Sequence, residues 1–346
     1  MFFKYARHVD AALPRCTGLD NSSTLSGDCE IYIDHPKYDD GESDVSHPFF
    51  IGQSVTNYVL NGNGKSITLT YNIALLLDYY YPVPKGGFFS SEYDGSVLTS
   101  ATIKNITFKN TSIAVDGGAI TDLSGATSRT IFGFDIGNAA SNSNFALNLE
   151  NVAFSNNSAI SSLFEIHRES SYSSSETSIS FQGVNFTNNT SVKQNGGTYA
   201  PSLFAFRGIY NDSSKNILKT FLFENSSVKG NTLDGASSIT YLASKCGMVS
   251  LFSFCKDSDT SMTLKGSEFT IKNTEIVNNS FKNIGYNSTE QYISYGSFFI
   301  KGIEDSKIIL ENVIIKNNEA TGTTPAYMKL HSLILLSVTQ NDVNSP

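Results

Sequence analysis

The stretch NVAFSNNS at residues 151–158 occurs in six related copies along this chain of 346 residues. The other five copies are NITFKNTS at Asn105, GVNFTNNT at Gly183, NSSVKGNT at Asn225, NTEIVNNS at Asn273 and NVIIKNNE at Asn312. Their first residues lie 46, 32, 42, 48 and 39 residues apart. Such irregular spacing predicts a solenoid with loops of variable length, because each unit buries its apolar residues only against its neighbours.

A second apolar block follows each copy, and an alternating apolar run precedes several of them. The second blocks are residues 117–120, 162–166, 202–206, 239–242, 296–300 and 332–336. Alternation of apolar and polar residues is typical of β-strands, and no helical periodicity occurs past Thr99. The sequence therefore predicts an all-β fold, a right-handed parallel β-helix of the pectin-lyase-like type. We expect about ten to twelve layers of about 20 to 24 residues after residue 97.

In such a fold the central apolar residues of the copies would stack in one column. The flanking Asn residues tolerate the left-handed backbone of a corner, and their amides can bond to the same residue in the next layer. The predicted structural repeat residues are Asn105, Phe108, Asn151, Phe154, Asn157, Phe186, Asn189, Asn225, Val228, Asn231, Asn273, Ile276, Asn279, Asn312, Ile315 and Asn318.

The organisation of the chain follows from where the repeat is strong. Residues 1–96 show it weakly and are predicted to form an N-terminal cap with the first irregular layers. Residues 97–346 form the repeat region, which we expect to be truncated at its C-terminal end. The N-terminal stretch MFFKYARHVD lacks the continuous apolar segment of a secretory leader.

Composition excludes some partners. The net charge is −8 and the chain has only five Arg, which leaves no basic stripe for nucleic acid or for anionic membranes. The most apolar C-terminal run, residues 333–338, is far shorter than the roughly 20 residues that span a bilayer. We therefore predict no nucleic-acid partner and no membrane span within this chain.

Cysteines and sequons indicate an oxidising, extracellular setting. Cys16 with Cys29, and Cys246 with Cys255, would suit two short-loop disulfides, although four buried free thiols would also explain them. Eleven Asn-X-Ser/Thr sequons occur. Asn211 and Asn287 lie outside the repeat motif and are the favoured glycosylation sites, whereas chance would also produce sequons in so Asn-rich a chain.

Catalytic and metal-binding patterns are weak. An acidic loop from Asp34 to His47 could hold a divalent cation, but its spacing matches no EF-hand and a solvated loop explains it. The string at Gly64 lacks the first glycine of a phosphate-binding loop. Carboxylates near the strands do not cluster by sequence, and nothing places Arg168 and Arg207 together. We predict no catalytic, cofactor-binding or metal-binding residue, and no cofactor.

One resemblance adds to this interpretation. GGAI at residues 117–120, with FSNN at 154–157 and FTNN at 186–189, resembles the GGA(I/L/V) and FxxN repeats of the chlamydial polymorphic outer-membrane protein family. Related right-handed β-helix surface proteins of protists are similar too. The resemblance spans roughly residues 99–338 and implies a surface-exposed domain that acts in adhesion.

The resulting functional hypothesis is an extracellular structural or adhesive surface protein. Its partners would be host or self cell-surface proteins or glycans, bound through exposed strand faces and through the loops at residues 169–177 and 286–292. One alternative is a polysaccharide lyase or hydrolase on the same scaffold. Another is a purely architectural element that stacks end to end.

Overall fold

The computed structural model describes residues 14, 24–25, 29–32, 50–51, 56–67, 99–111, 129–136, 144–170, 176–192, 200–210, 218–235, 249–256, 264–284, 295–301, 303–322 and 331–337. For part of these strands only the backbone is described. The described residues contain β-strands and no helix.

The first twelve strands are β1 (Thr24–Leu25), β2 (Cys29–Tyr32), β3 (Phe50–Ile51), β4 (Asn57–Ile67), β5 (Ser100–Lys109), β6 (Arg129–Ile136), β7 (Phe145–Ser155), β8 (Ser158–Ser170), β9 (Thr177–Gln182), β10 (Asn185–Thr187), β11 (Thr190–Val192) and β12 (Ser202–Tyr210). The next twelve are β13 (Leu218–Glu224), β14 (Ser227–Lys229), β15 (Thr232–Asp234), β16 (Val249–Lys256), β17 (Leu264–Lys265), β18 (Glu268–Val277), β19 (Ser280–Ile284), β20 (Tyr295–Lys301), β21 (Ile303–Glu304), β22 (Lys307–Lys316), β23 (Glu319–Gly322) and β24 (His331–Ser337).

Every pairing between these strands is parallel. Two ten-stranded sheets contain most of them, and two small sheets pair β1 with β3 and β17 with β21. The all-β part of the prediction is therefore confirmed at the level of parallel strands in stacked sheets. Parallel partners far apart in sequence require the chain to cross over and return between them.

The first large sheet contains the repeat motif. Its successive members are β5, β7, β9 with β10, β13 with β14, β18 and β22, and we call each of these six a layer. Phe154 lies opposite Phe108 on one side and opposite Phe186 on the other. The register continues through Val228 and Ile276 to Ile315. One column of apolar residues thus runs through all six layers.

The expected number of layers was wrong. Register partners in adjacent layers are 32 to 48 residues apart in the sequence, whereas about 20 to 24 were expected. The hydrogen bonds between side chains of adjacent layers show the same separations. The reason is that each return of the chain includes a strand of the second sheet and connecting segments. The region after residue 97 accordingly supplies six layers of described strand to the first sheet, instead of ten to twelve.

The second large sheet has two parts. The short strands β11, β15, β19 and β23 continue from the start of β8, and the longer strands β6, β12, β16, β20 and β24 are in register with the rest of β8. Two predicted apolar blocks, residues 117–120 and 239–242, lie outside the described residues. After the first and fourth copies, the described strands in register with the other long strands of this sheet are β6 and β16.

The core lies between the sheets and follows the alternation of the strands. In β7 every second residue is buried, with one break at the positions of Glu150 and Asn151. Phe154 stacks on Phe108 and on Phe186 at centroid distances of 5.4 and 5.0 Å. It also meets Phe164 of the second sheet edge-on at 6.0 Å. Contacts of this kind join the two sheets into one hydrophobic core.

The last layer of the first sheet is less covered than the others. Leu310 of β22 is 44% exposed, although its register partner Ile271 in β18 is buried. Ile308 and Ile315 are only partly buried against the core. Within the described residues β22 pairs with β18 alone, so this layer has a partner on one side.

Candidate interaction surface and asparagine ladders

The second Asn of each Asn pair, or of the Gly-Asn pair in the fourth copy, lies inside the molecule. We call these residues the inner ladder, and they are Asn157, Asn189, Asn231, Asn279 and Asn318. The first four are at most 2% exposed. Buried amides of this kind are stable only when their hydrogen-bonding groups are satisfied.

The amides of Asn157, Asn189, Asn231 and Asn279 each bond to both neighbouring layers. Nδ2 of Asn231 donates to the carbonyl oxygen of Phe186 in the layer before, and to Oδ1 of Asn279 in the layer after, both at 2.9 Å. The backbone N–H of Asn231 also donates to Oδ1 of Asn279, at 3.0 Å. The same three bonds recur at Asn157, Asn189 and Asn279. The ladder therefore fixes the register between layers.

The ladder begins with a residue that the repeat search did not identify. In the first copy Thr111 occupies the inner position, and its backbone N–H donates to Oδ1 of Asn157 at 3.0 Å. Thr111 is fully buried. The register of the copy NITFKNTS would have revealed it, since Thr111 follows Asn110 as Asn157 follows Asn156.

The first Asn of each copy lies at a different kind of corner. We call these residues the outer ladder, and they are Asn105, Asn151, Asn225, Asn273 and Asn312. All have a positive φ between 50 and 54°, which Asn tolerates better than most residues. Their amides form longer bonds, such as Nδ2 of Asn273 to Oδ1 of Asn225 at 3.2 Å. Gly183 takes the position in the third copy, with φ of 66°.

A third set of corners precedes the inner ladder directly. We call it the corner column, and it comprises Asn110, Asn156, Asn188, Gly230, Asn278 and Asn317. All six have a positive φ between 53 and 66°. The positive φ turns the chain so that the next residue points inward. The five Asn residues of this column are exposed.

The outward face of the first sheet presents rows of side chains in register. The middle row consists of Thr102, Asn148, Ser180, Leu222, Thr270 and Ile309. A second row consists of Ser100, Ala146, Ser178, Thr220, Glu268 and Lys307. Four of the six residues in the middle row and three of the six in the second row carry hydroxyl or amide groups. Adjacent layers are about 4.8 Å apart. In the first four layers, short hydrogen-bonding groups therefore occupy six of the eight positions in these two rows.

Charges on this face alternate instead of clustering. The charged row consists of Lys104, Glu150, Gln182, Glu224, Lys272 and Glu311. Lys272 forms an ion pair with Glu224 at 3.3 Å. Directly adjacent positions in the row are never both carboxylates.

A second ion pair lies on the same face. Nζ of Lys229 is 2.5 Å from Oε2 of Glu275. The hydrogen bond and positive charge of Lys229 lower the pKa of Glu275 below its usual value. Both side chains are nearly half exposed, so the pair contributes little to stability.

The register of the second sheet brings together residues that the sequence left apart. Asp135 of β6 lies opposite His167 of β8, which lies opposite Arg207 of β12. Arg207 in turn lies opposite Cys255 of β16. Glu165, two residues before His167, is buried. An acidic residue, a histidine and an arginine thus occupy consecutive register positions near the ends of their strands. Arg168 lies opposite Gly208, one position further along.

Several predicted sites lie outside the described residues. These are Cys16, Cys246, Asn211, Asn287, the acidic loop from Asp34 to His47 and most of the loops at 169–177 and 286–292. The side chains of Cys29 and Cys255 are not described either, so both disulfides remain predictions. Gly64 lies within β4. In the described part of the chain no three His, Cys, Asp or Glu converge on a metal position.

The described residues define an all-β protein in which parallel strands stack layer upon layer around a phenylalanine-rich core. Comparison of the chain with models of known families, with curated proteins and with solved structures found no match. Among the described residues there is no helix long and apolar enough to cross a bilayer.

Proposed function

We propose that the protein is an extracellular structural or adhesive surface protein built as a right-handed parallel β-helix. Three observations support the architecture: all pairings are parallel, partners return every 32 to 48 residues, and one core joins the sheets. Chains that stack repeats in this way form extended surfaces suited to binding. The resemblance to the polymorphic outer-membrane protein repeats supports a position at the cell surface.

The observation that carries the proposal is the regular outward face of the first sheet. The Ser, Thr and Asn side chains of its first four layers present donors and acceptors at the spacing of the layers. Single contacts of this type are weak in water, and a ligand with repeated groups gains affinity by engaging several of them. Glycans and cell-surface glycoproteins have such repeated hydroxyl groups. We therefore propose them as partners.

A pair of surface variants tests this binding face. Ser180→Arg with Thr270→Arg places long charged side chains on the middle row, where they would block close approach of a ligand. We expect at least a tenfold loss of binding to cells and to a glycan array, about 1.4 kcal/mol. The control is Thr190→Arg with Thr232→Arg, which changes half-buried threonines of the second sheet by the same charge. Equal binding by both variants, or no ligand for the unmodified protein, would refute the proposal.

A second candidate function is cleavage of an acidic polysaccharide. The row of Asp135, His167 and Arg207 supports it, because an arginine can hold a sugar carboxylate while a neutral histidine accepts a proton near neutral pH. In an elimination the base would take the C5 proton, and the C5–H electron pair would form a C4=C5 double bond. The C4–O bond would break, and the leaving oxygen would keep the electron pair and take a proton from water.

This second function is tested by incubating the protein with acidic polysaccharides and measuring the ultraviolet absorbance of the unsaturated products. We expect His167→Ala to lower the rate at least 100-fold, the usual contribution of a general base. His331→Ala is the control, because His331 lies in β24 of the same sheet but outside the row. If the unmodified protein releases no product, or if both variants lose activity equally, the enzyme hypothesis is wrong.

A further inference from the structure

The structure sorts the sequons of this chain into two groups by the state of their amide nitrogens. Eight of the eleven sequons begin at described residues: Asn105, Asn110, Asn156, Asn185, Asn188, Asn189, Asn225 and Asn278. N-linked glycosylation needs an accessible Asn side chain with a free Nδ2. A sequon whose amide is committed elsewhere in the fold cannot carry a glycan.

Three sequons have a committed amide nitrogen. Asn189 is fully buried, and its Nδ2 donates to Phe154 O at 2.9 Å and to Asn231 Oδ1 at 3.0 Å. Asn185 donates to Gly183 O and accepts a bond of 2.6 Å from the hydroxyl group of Ser227. The third is Asn105 of the outer ladder, whose Nδ2 donates to Asn61 Oδ1 at 3.4 Å. Asn225 is exposed, and its side-chain amide is held only through Oδ1, which accepts from Nδ2 of Asn273 at 3.2 Å. A chain glycosylated at Asn189 could not close its inner ladder.

Of the five sequons that remain, four belong to the corner column, and the fifth is Asn225. The four in the column begin at Asn110, Asn156, Asn188 and Asn278. All four residues are exposed, and their side chains form no hydrogen bond within the described part of the chain. The same backbone geometry that turns the following residue inward leaves these amides in solvent.

The four sequons of the corner column differ in which residues lie next to them in the adjacent layers. Adjacent layers are about 4.8 Å apart, so glycans on consecutive corners would crowd each other. Asn110, Asn156 and Asn188 are consecutive, and Oδ1 of Asn188 also lies over Gly230, where an added Cβ would meet it at 2.4 Å. Asn278 lies between Gly230 and Asn317, neither of which begins a sequon. A glycan on Asn278 would therefore have no other glycan beside it in either adjacent layer.

We infer that the corner column is the glycosylated edge of the protein and that Asn278 is its principal acceptor, an assignment that rests on the proposed extracellular function. Nδ2 of Asn278 would attack C1 of an oligosaccharide linked to a lipid pyrophosphate. The N–C1 bond forms, the C1–O bond breaks, the lipid pyrophosphate leaves with the electron pair, and the amide proton passes to the transferase base or water. No oxidation or reduction is involved. This edge differs from the sites at Asn211 and Asn287 that the sequence alone favours.

Ser280 provides a variant that removes the sequon of Asn278 without altering that residue. Its hydroxyl oxygen is buried and forms no hydrogen bond in the described part of the chain, so Ser280→Ala removes little stabilisation. Ser280→Thr retains the sequon and is the matched control. Both variants and the unmodified chain are expressed at full length behind a secretory leader in a eukaryotic cell. Site occupancy is then measured by glycosidase treatment in heavy-oxygen water and peptide mass spectrometry.

We expect Asn278 to be occupied in most secreted molecules of the unmodified chain and of Ser280→Thr, and Ser280→Ala to lose one glycan. Asn189 should be unmodified in all three. The assignment is wrong if Asn278 carries no glycan in the secreted chain without substitutions. It is also wrong if Asn189 is glycosylated as often as Asn278. Protein from its natural source tests the location separately. If Asn278 carries a glycan in the secreted chain but none in protein from the natural source, the extracellular proposal is contradicted. The accessibility of Asn278 would still be established by that result.

Discussion

Asn231→Ala is expected to lower the free energy of unfolding by about 3 kcal/mol or more, because it breaks the inner ladder at its centre. The change removes bonds from Asn231 Nδ2 to Phe186 O and to Asn279 Oδ1. It also removes the acceptor for the backbone N–H and Nδ2 of Asn189. All these groups are fully buried, so water cannot replace the lost partner without opening the core. Urea unfolding with an unchanged m value would measure the loss.

Asn225→Ala is the matched control for this prediction. It makes the same chemical change in the same copy of the repeat, but Asn225 is exposed and its amide accepts one bond of 3.2 Å. We expect a loss of about 1 kcal/mol, which arises mainly from the positive φ that alanine tolerates poorly. Equal losses at Asn225 and Asn231 would mean that the inner ladder contributes no more than a solvent-exposed corner.

Part of this arrangement could be predicted from the sequence. The apolar column from Phe108 to Ile315 follows from the spacing of the copies, because identical positions of a repeat occupy identical positions in a stacked sheet. The parallel pairing follows from the same logic. The shift of the third copy to Gly183 also has a physical basis, since glycine adopts the positive φ that Asn adopts elsewhere.

The sequence could not predict which of two neighbouring Asn residues would be buried and which would be exposed. Asn156 and Asn157 are identical and adjacent, yet one is exposed and the other is buried. The difference arises from the positive φ of Asn156 and from the carbonyl oxygen of Phe108, which is 49 residues away and accepts a bond from Asn157. Local propensity contains no information on a partner at that distance.

The second sheet shows the same limit. The sequence suggested that the apolar block nearest to each motif forms its strand, which led to residues 239–242 in the fourth copy. The strand in register with β12 and β20 is instead β16, Val249–Lys256. Loop length is set by what the loops do at the surface and not by the core, so the apolar pattern could not fix it. The row of Asp135, His167 and Arg207 was missed for the same reason, because register alone brings these residues together.

Phe154→Ala is expected to lower the free energy of unfolding by about 3 to 5 kcal/mol, the usual range for a buried phenylalanine. Phe154 is fully buried and contacts Phe108, Phe186 and Phe164, so its ring joins three layers and both sheets. The stacked partners are held by their own backbone hydrogen bonds and cannot collapse into the space, which leaves a cavity. Chemical unfolding measures the loss.

Two control variants separate the cavity from other causes in this second prediction. Phe154→Leu retains most of the side-chain volume, so it removes the ring stacking but leaves only a small cavity. We expect it to lower the free energy of unfolding much less than Phe154→Ala does. Ile315→Ala truncates the same column in the last layer, where the side chain is only partly buried, and we expect it to cost less than Phe154→Ala. In a continuous apolar column, a central residue packed on both sides contributes more to stability than a terminal residue packed on one side. The column would therefore be contradicted if Phe154→Ala lowered the free energy of unfolding no more than Ile315→Ala.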